Sequence, residues 1–152
     1  MARSYADARA FWAVREAPGL DDALPGLMNF DVSIELQAMP AFVDGLTAAI
    51  ENAFPGTRSL FFGHMGDGNL HLILHRDEMD APTAHALDEL VYDRVRGEGG
   101  SVSAEHGIGT LKREWLGFSR SPAEIRTMHA IKSALDPHGI MNPGKLLTSC
   151  QS

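Results

Sequence analysis

Four residues in this chain have the types to do chemistry, His64, His71, Glu105 and His106, and spacing brings the first two together. The two first-named histidines flank a turn. Asp67-Gly68, in LFFGHMGDGNLHLILH at 60–75, has the composition of a two-residue type I′ hairpin, and apolar β-rich runs lie on both sides. With Asp67 and Gly68 as the turn, Met65 faces Leu70 and His64 faces His71. Directly opposed residues hold their Cβ atoms roughly 4.5–5.5 Å apart, so two imidazoles converge on one ion. Glu105-His106-Gly107 adds a carboxylate and a third imidazole at a strand end. Two histidines and one carboxylate make a three-ligand site with open positions, which suits Zn²⁺ or Mn²⁺ in a catalytic role. Periodicity does not tell whether Glu105 reaches the hairpin. The plainer reading of Glu105-His106 is surface charge beside a helix-entry loop. The Gly107-Ile108-Gly109 amides could bind an anion at a helix N-terminus, with simple turn geometry as the alternative.

The elements that must position these residues follow from period and punctuation. Residues 5–17 read as a helix, and FDVSIEL at 30–36 alternates as a strand with one buried face. Phe42, Val43, Leu46 and Ile50 set a helix over 41–53, ended by Pro55-Gly56. Hairpin strands span about 57–63 and 69–75, and Asp80 caps a helix with the stripe Leu87, Leu90, Val91, Val95. Residues 101–105 read as a fourth strand. The order β-α-β-β-α-β predicts an α+β, ferredoxin-like antiparallel sheet over about 29–106, with helices on one face and the other face free. A helical tail over 109–152 follows, with a helix from Gly109 to about Gly117 and a second one behind the Ser121–Glu124 capping box. The whole chain reads as one domain.

Strand alternation sorts the histidines. Leu70, Leu72 and Leu74 share the helix-packed face, while Asn69, His71, Ile73 and His75 share the other. His75 lies about 13 Å from His71 along an extended strand, too far to share an ion. It is excluded from the site. His85, His129 and His138 read as structural, solvent-facing or turn residues, and Asp67 as first a turn residue.

A length of 152 residues, 44% hydrophobic and 22% charged, gives a soluble globular domain large enough for a core. A net charge of −7 argues against nucleic acid and anionic membranes. There is no apolar run of spanning length, and the lone Cys150 gives no intrachain disulfide. The expectation is a cytoplasmic protein with no membrane span; a homodimer is compatible with the sequence.

GHMGDGNLHL at 63–72, SVSAEHGIG at 101–109 and DPHGIMNPGK at 136–145 together resemble the C-terminal domain of FAD-linked oxidases. That family, of the vanillyl-alcohol-oxidase type, includes the glycolate oxidase flavoprotein subunit, D-lactate dehydrogenase and D-2-hydroxyglutarate dehydrogenase. FWAVRE at 11–16 and NFDVSIE at 29–35 extend the likeness across nearly the whole chain. The resemblance implies a ferredoxin-like cap domain in an enzyme that oxidises 2-hydroxy acids to 2-oxo acids. It implies His64, His71 and Glu105 as ligands of a divalent metal, Zn or Mn. It implies His106 as the base that takes the 2-hydroxyl proton while hydride passes from C2 to the flavin. Arg15 matches the arginine that holds the substrate carboxylate, and Asn142 and Lys145 fall in the segment that returns towards the flavin. Asn29 and Ile73 stand where the hydroxyglutarate enzymes carry a lysine and an asparagine. That departure favours a smaller or more apolar 2-hydroxy acid. The family's N-terminal FAD-binding domain has no counterpart here, so FAD is expected to be held mainly by another domain or chain. Alone, the chain is then expected to be inactive. The other readings are a stand-alone metal- or ligand-binding module and an inactive fragment.

Overall fold

Two of the long helices start where the sequence supplies a side-chain cap. Asp80 accepts a hydrogen bond from the Thr83 amide at 2.8 Å ahead of Pro82, which opens the helix Ala81–Gly97. Ser121 and Glu124 form a reciprocal capping box ahead of Pro122–Leu135. The computed structural model describes residues 2–16, 24–64 and 66–148, without the side chains of residues 14–16. Among these, the order is α1 (Tyr5–Glu16), β1 (Met28–Ser33), α2 (Met39–Ala53), β2 (Arg58–His64), β3 (Asn69–His75) and α3 (Ala81–Gly97). A 3-10 turn (Arg113–Trp115), α4 (Leu116–Ser119) and α5 (Pro122–Leu135) complete it.

The strands form an antiparallel sheet in the order β1-β3-β2. On one face, Phe30, Leu72 and Phe61 form a row beside Val32 and Leu70. This face packs on Phe42, Leu46 and Ile50 of α2 and on Leu87, Val91 and Val95 of α3. Val102 and Trp115 close the same core. The α+β class and the one-sided helix layer therefore match the pattern of the sequence.

Three local expectations are corrected. The hairpin closes at His64↔Asn69, which pairs His71 with Phe62 and puts the connection between residues 64 and 69. A type I′ turn needs positive φ at both central residues. Gly68 has it, at +76°, but Asp67 does not. Instead the Asp67 carboxylate accepts from the Asn69 amide at 3.1 Å, forming a side-chain turn. Next, the fourth strand shrinks to one bridge, Ser33↔Ser101. Beyond it the amides of Glu105 and His106 bond to the Asp31 carboxylate, not to a strand ladder. Finally, no helix begins at Gly109. Its φ of +54° lies in the left-handed region, and regular helix starts only at Leu116.

The tail folds back on this region. Leu146 donates its amide to the Gly109 carbonyl at 2.7 Å, and Arg113 donates to the Gly144 carbonyl at 2.7 Å. Phe11 and Trp12 on α1, with Ile131 and Leu135 on α5, remain exposed. No helix among the described residues is long and apolar enough to cross a membrane.

Candidate metal and catalytic site

The sheet face opposite the helices carries the candidate residues. Antiparallel pairing makes a row of Asp31, His71 and Phe62 across β1, β3 and β2. The neighbouring row on the same face is Ser33, Asn69 and His64. His64 and His71 are therefore diagonal neighbours and not opposed. Diagonal pairs still lie within reach of aromatic side chains, and the two rings sit with centroids 5.5 Å apart, edge to face.

Glu105 arrives from the other side. Its loop is pinned to β1 by Asp31, which is wholly buried and which sequence reasoning did not single out. Asp31 Oδ2 accepts the Glu105 and His106 amides at 2.8 Å each and the Ser103 hydroxyl at 3.3 Å. The Asp31 carbonyl accepts the Ala104 amide at 3.2 Å. The loop thus covers the face that was expected to be free, and His71 is buried beneath it. Glu105 presents its two carboxylate oxygens to the two histidines. Oε1 lies 3.5 Å from His64 Nδ1, and Oε2 lies 3.7 Å from His71 Nε2.

One ligand atom from each of His64, His71 and Glu105 lies within 4.8 Å of the others. Bonds of about 2.1 Å to one tetrahedral ion put neighbouring donors about 3.4 Å apart, so these side chains fit such an ion with little movement. Two imidazoles and a carboxylate also have the borderline character that zinc and manganese accept. Asp31, His71 and His106 form a second such group. There, however, Asp31 Oδ2 is already engaged by three donors. His106 is about half exposed, its ring stacked at 5.9 Å on His71 and its Nδ1 3.8 Å from Asp31 Oδ2.

Charge in this cluster is set by burial and by hydrogen bonding. Burial works to raise the Asp31 pKa. The His106 and Glu105 amides overcome it, helped by the charges of His106 and Lys112, and hold the carboxyl below its ordinary range. Burial lowers the His71 pKa, with Asp31 and Glu105 opposing and His106 and His64 assisting, which favours the neutral ring. A neutral imidazole is the form that binds a metal or accepts a proton. Lys112, whose pKa burial also lowers against the pull of Asp31 and Asp88, lies 3.4 Å from both the Asp31 carbonyl and the Ser103 hydroxyl.

The remaining sequence candidates fall elsewhere. His75 is buried and shares a 3.0 Å hydrogen bond with Arg58. The side chain of Arg15 lies outside the described residues, although its backbone belongs to α1. Asn142 and Lys145 line an apolar groove with Met128, Ile131 and Leu135 of α5. Asn69 was not weighed as a site residue. It is buried opposite His64, and its side-chain amide has no hydrogen-bond partner among the described residues. The signal for Asp31 was present in the sequence. It occupies the polar face of the FDVSIEL strand, and antiparallel pairing of that strand with β3 turns this face towards His71.

Residues 1–146 match the family described as FAD linked oxidases, C-terminal domain, and the chain belongs to that family. It is 44% identical over 124 residues to D-2-hydroxyglutarate dehydrogenase of Stutzerimonas stutzeri, covering 78% of this chain and 27% of that protein. The mitochondrial D-2-hydroxyglutarate dehydrogenase of Bos taurus is 36% identical over 91% of this chain and 25% of its own length. The D-2-hydroxyglutarate–pyruvate transhydrogenase of Saccharomyces cerevisiae is 34% identical over 97% of this chain and 31% of its own length. The chain therefore spans about a quarter to a third of these relatives.

Proposed function

We propose that this chain is the substrate- and metal-binding domain of an FAD-dependent oxidoreductase that converts a 2-hydroxy acid into a 2-oxo acid. The observation that carries the reading is the convergence of His64, His71 and Glu105 within 4.8 Å, with His106 stacked alongside. In this reading His64, His71 and Glu105 hold a zinc or manganese ion. His106 removes the 2-hydroxyl proton, and Arg15 binds the substrate carboxylate. Asn142 and Lys145 lie towards the cofactor. Bound FAD would accept the hydride, and the metal ion would lower the pKa of the hydroxyl. FAD is held mainly by a domain outside these residues. Support for such a partner comes from the share of the relatives' length that this chain spans and from the exposed apolar faces of α1 and α5.

The relatives' names specify D-2-hydroxyglutarate, but the row beside the site favours a smaller or more apolar substrate. Asn29, Ile73 and Leu60 form that row by strand pairing. It offers one amide and two aliphatic side chains, with no cation for a second carboxylate.

Two measurements test the reading. Purified chain should hold about one equivalent of zinc or manganese, and His64→Ala, His71→Ala and Glu105→Ala should each weaken it. Joined to the FAD-binding portion of the Stutzerimonas relative, the chain should support dye-linked oxidation of D-lactate or a similar acid. His106→Ala should lower that rate by about 10²-fold or more, the usual contribution of a general base. Full activity in His106→Ala would remove the proposed base. Metal binding without dehydrogenase activity would favour a stand-alone metal-binding module. Neither property would mark an inactive fragment.

A further inference from the structure

Asp31 reaches two segments of the site, β3 and the loop that carries Glu105 and His106, and its two oxygens do different things. Oδ2 is saturated by the Glu105 and His106 amides and the Ser103 hydroxyl. Oδ1 is buried with no hydrogen-bond partner among the described residues. His71 Nδ1 lies 3.9 Å away on the same sheet face, a few tenths of an ångström beyond hydrogen-bond length, while His71 Nε2 faces Glu105 at 3.7 Å. A buried acceptor without a donor costs free energy, and a ring N–H directed at it relieves that cost. A neutral imidazole with its proton on Nδ1 has a free lone pair on Nε2, the atom on the Glu105 side.

We infer that Asp31 is the positioning residue of this site: Oδ1 holds His71 as the Nδ1–H tautomer with Nε2 open for ligation, while Oδ2 fixes the backbone that carries Glu105 and His106. The pairing of a ligating histidine with a carboxylate behind it is a general device for setting ring orientation and donor strength. Its metal arm rests on the reading of His64, His71 and Glu105 as ligands; the tautomer itself does not.

Asp31→Asn separates the two oxygens. The three donors at the Oδ2 position keep an oxygen there, so the introduced NH₂ takes the Oδ1 position. It then donates to His71 Nδ1 and drives the ring proton to Nε2, which closes the ligating lone pair. Zinc affinity of the full chain, measured by competition with a chelating dye, should fall about 10–100-fold. The loop amides keep their acceptor, so the circular dichroism spectrum should be retained. Two-bond proton–nitrogen correlation spectra at pH 7.5, with His71 assigned through His71→Gln, should show Nδ1–H in the native chain and Nε2–H in Asp31→Asn.

An Nε2–H tautomer in the native chain would overturn the inference, as would an Asp31→Asn chain that keeps both native zinc affinity and Nδ1–H. If Asp31→Asn fails to fold, the native spectrum alone decides. If the native chain binds no zinc, the metal reading fails, and the tautomer still decides the role of Asp31.

Discussion

Gly68→Ala is the sharpest probe of how the fold holds the site. Gly68 has φ +76°, and a Cβ there would stand 2.4 Å from the Ile34 carbonyl oxygen. Its own carbonyl accepts the Ile34 amide at 2.9 Å, which ties the hairpin loop to the end of β1. Left-handed backbone costs an L-residue about 1–2 kcal/mol. The clash cannot be relieved by a side-chain rotation, because the obstructing atom is backbone. Moving the loop breaks the Ile34–Gly68 hydrogen bond, for about 0.5–1.5 kcal/mol more. The expected total is about 2–3 kcal/mol, read as a lowered urea midpoint at unchanged slope. Gly56→Ala is the matched control: it has φ +85° but nothing within 4 Å of the added carbon. It should cost only the backbone term. Because His64 is the residue before this loop, Gly68→Ala should also weaken zinc binding, and Gly56→Ala should not. Equal destabilisation by the two substitutions, or native zinc affinity in Gly68→Ala, would refute the reasoning.

Two further outcomes follow from other parts of the structure. Burial pushes the Asp88 pKa up to about 6, with Glu114 adding to it and His85 and Lys112 opposing. A raised folded pKa means the native state binds more protons between about pH 4 and 6, so stability falls as pH rises through that window. Asp88→Asn should therefore stabilise the chain by about 2–3 kcal/mol at pH 7 and by less than about 1 kcal/mol at pH 4, as read from urea midpoints; a gain independent of pH would contradict this. In the joined enzyme, Asn29→Lys with Ile73→Asn should shift kcat/KM towards a dicarboxylic 2-hydroxy acid by about 10–100-fold relative to D-lactate, the worth of one charge-assisted hydrogen bond. An unchanged ratio would place the distal end of the substrate away from this row.

The sequence was legible where side chains alternate or recur with helical period. The strands around Phe30 and Leu72, the helix stripe of Leu87, Val91 and Val95, and the Ser121 capping box all appear as read. The failures are places where a side chain captures backbone groups that a ladder or turn would otherwise use. Asp67 takes the Asn69 amide, which changes the hairpin from a two-residue to a four-residue connection and shifts the partner of His64 by two positions. Asp31 takes the amides of Glu105 and His106, which abolishes most of the fourth strand. Both aspartates were visible, but a local period cannot reveal which amides a carboxylate will meet after tertiary folding. The histidine pair survived the wrong register because a diagonal separation on one sheet face is still short enough for two rings to approach.

That tolerance has a consequence for how the site would bind an ion under the proposed function. His71 lies on the central strand, buried, with its ring bounded by Phe62 at 5.1 Å and His106 at 5.9 Å. The backbone of Glu105 is equally fixed, through Asp31, yet its side chain is about half exposed. His64 stands at the edge of the hairpin loop and is about one-third exposed. An ion would therefore meet one rigid donor and two that adjust by rotation. The Glu105 oxygens already lie 3.5 and 3.7 Å from the two imidazole nitrogens, against about 3.4 Å in a loaded tetrahedral site. Assembly then costs the rotamer freedom of two side chains, about 0.5–1.5 kcal/mol each, and no rearrangement of the sheet. A site built this way should be limited in affinity by the orientation of its one rigid ligand, which is why the carboxylate behind His71 matters more than its distance from any substrate suggests.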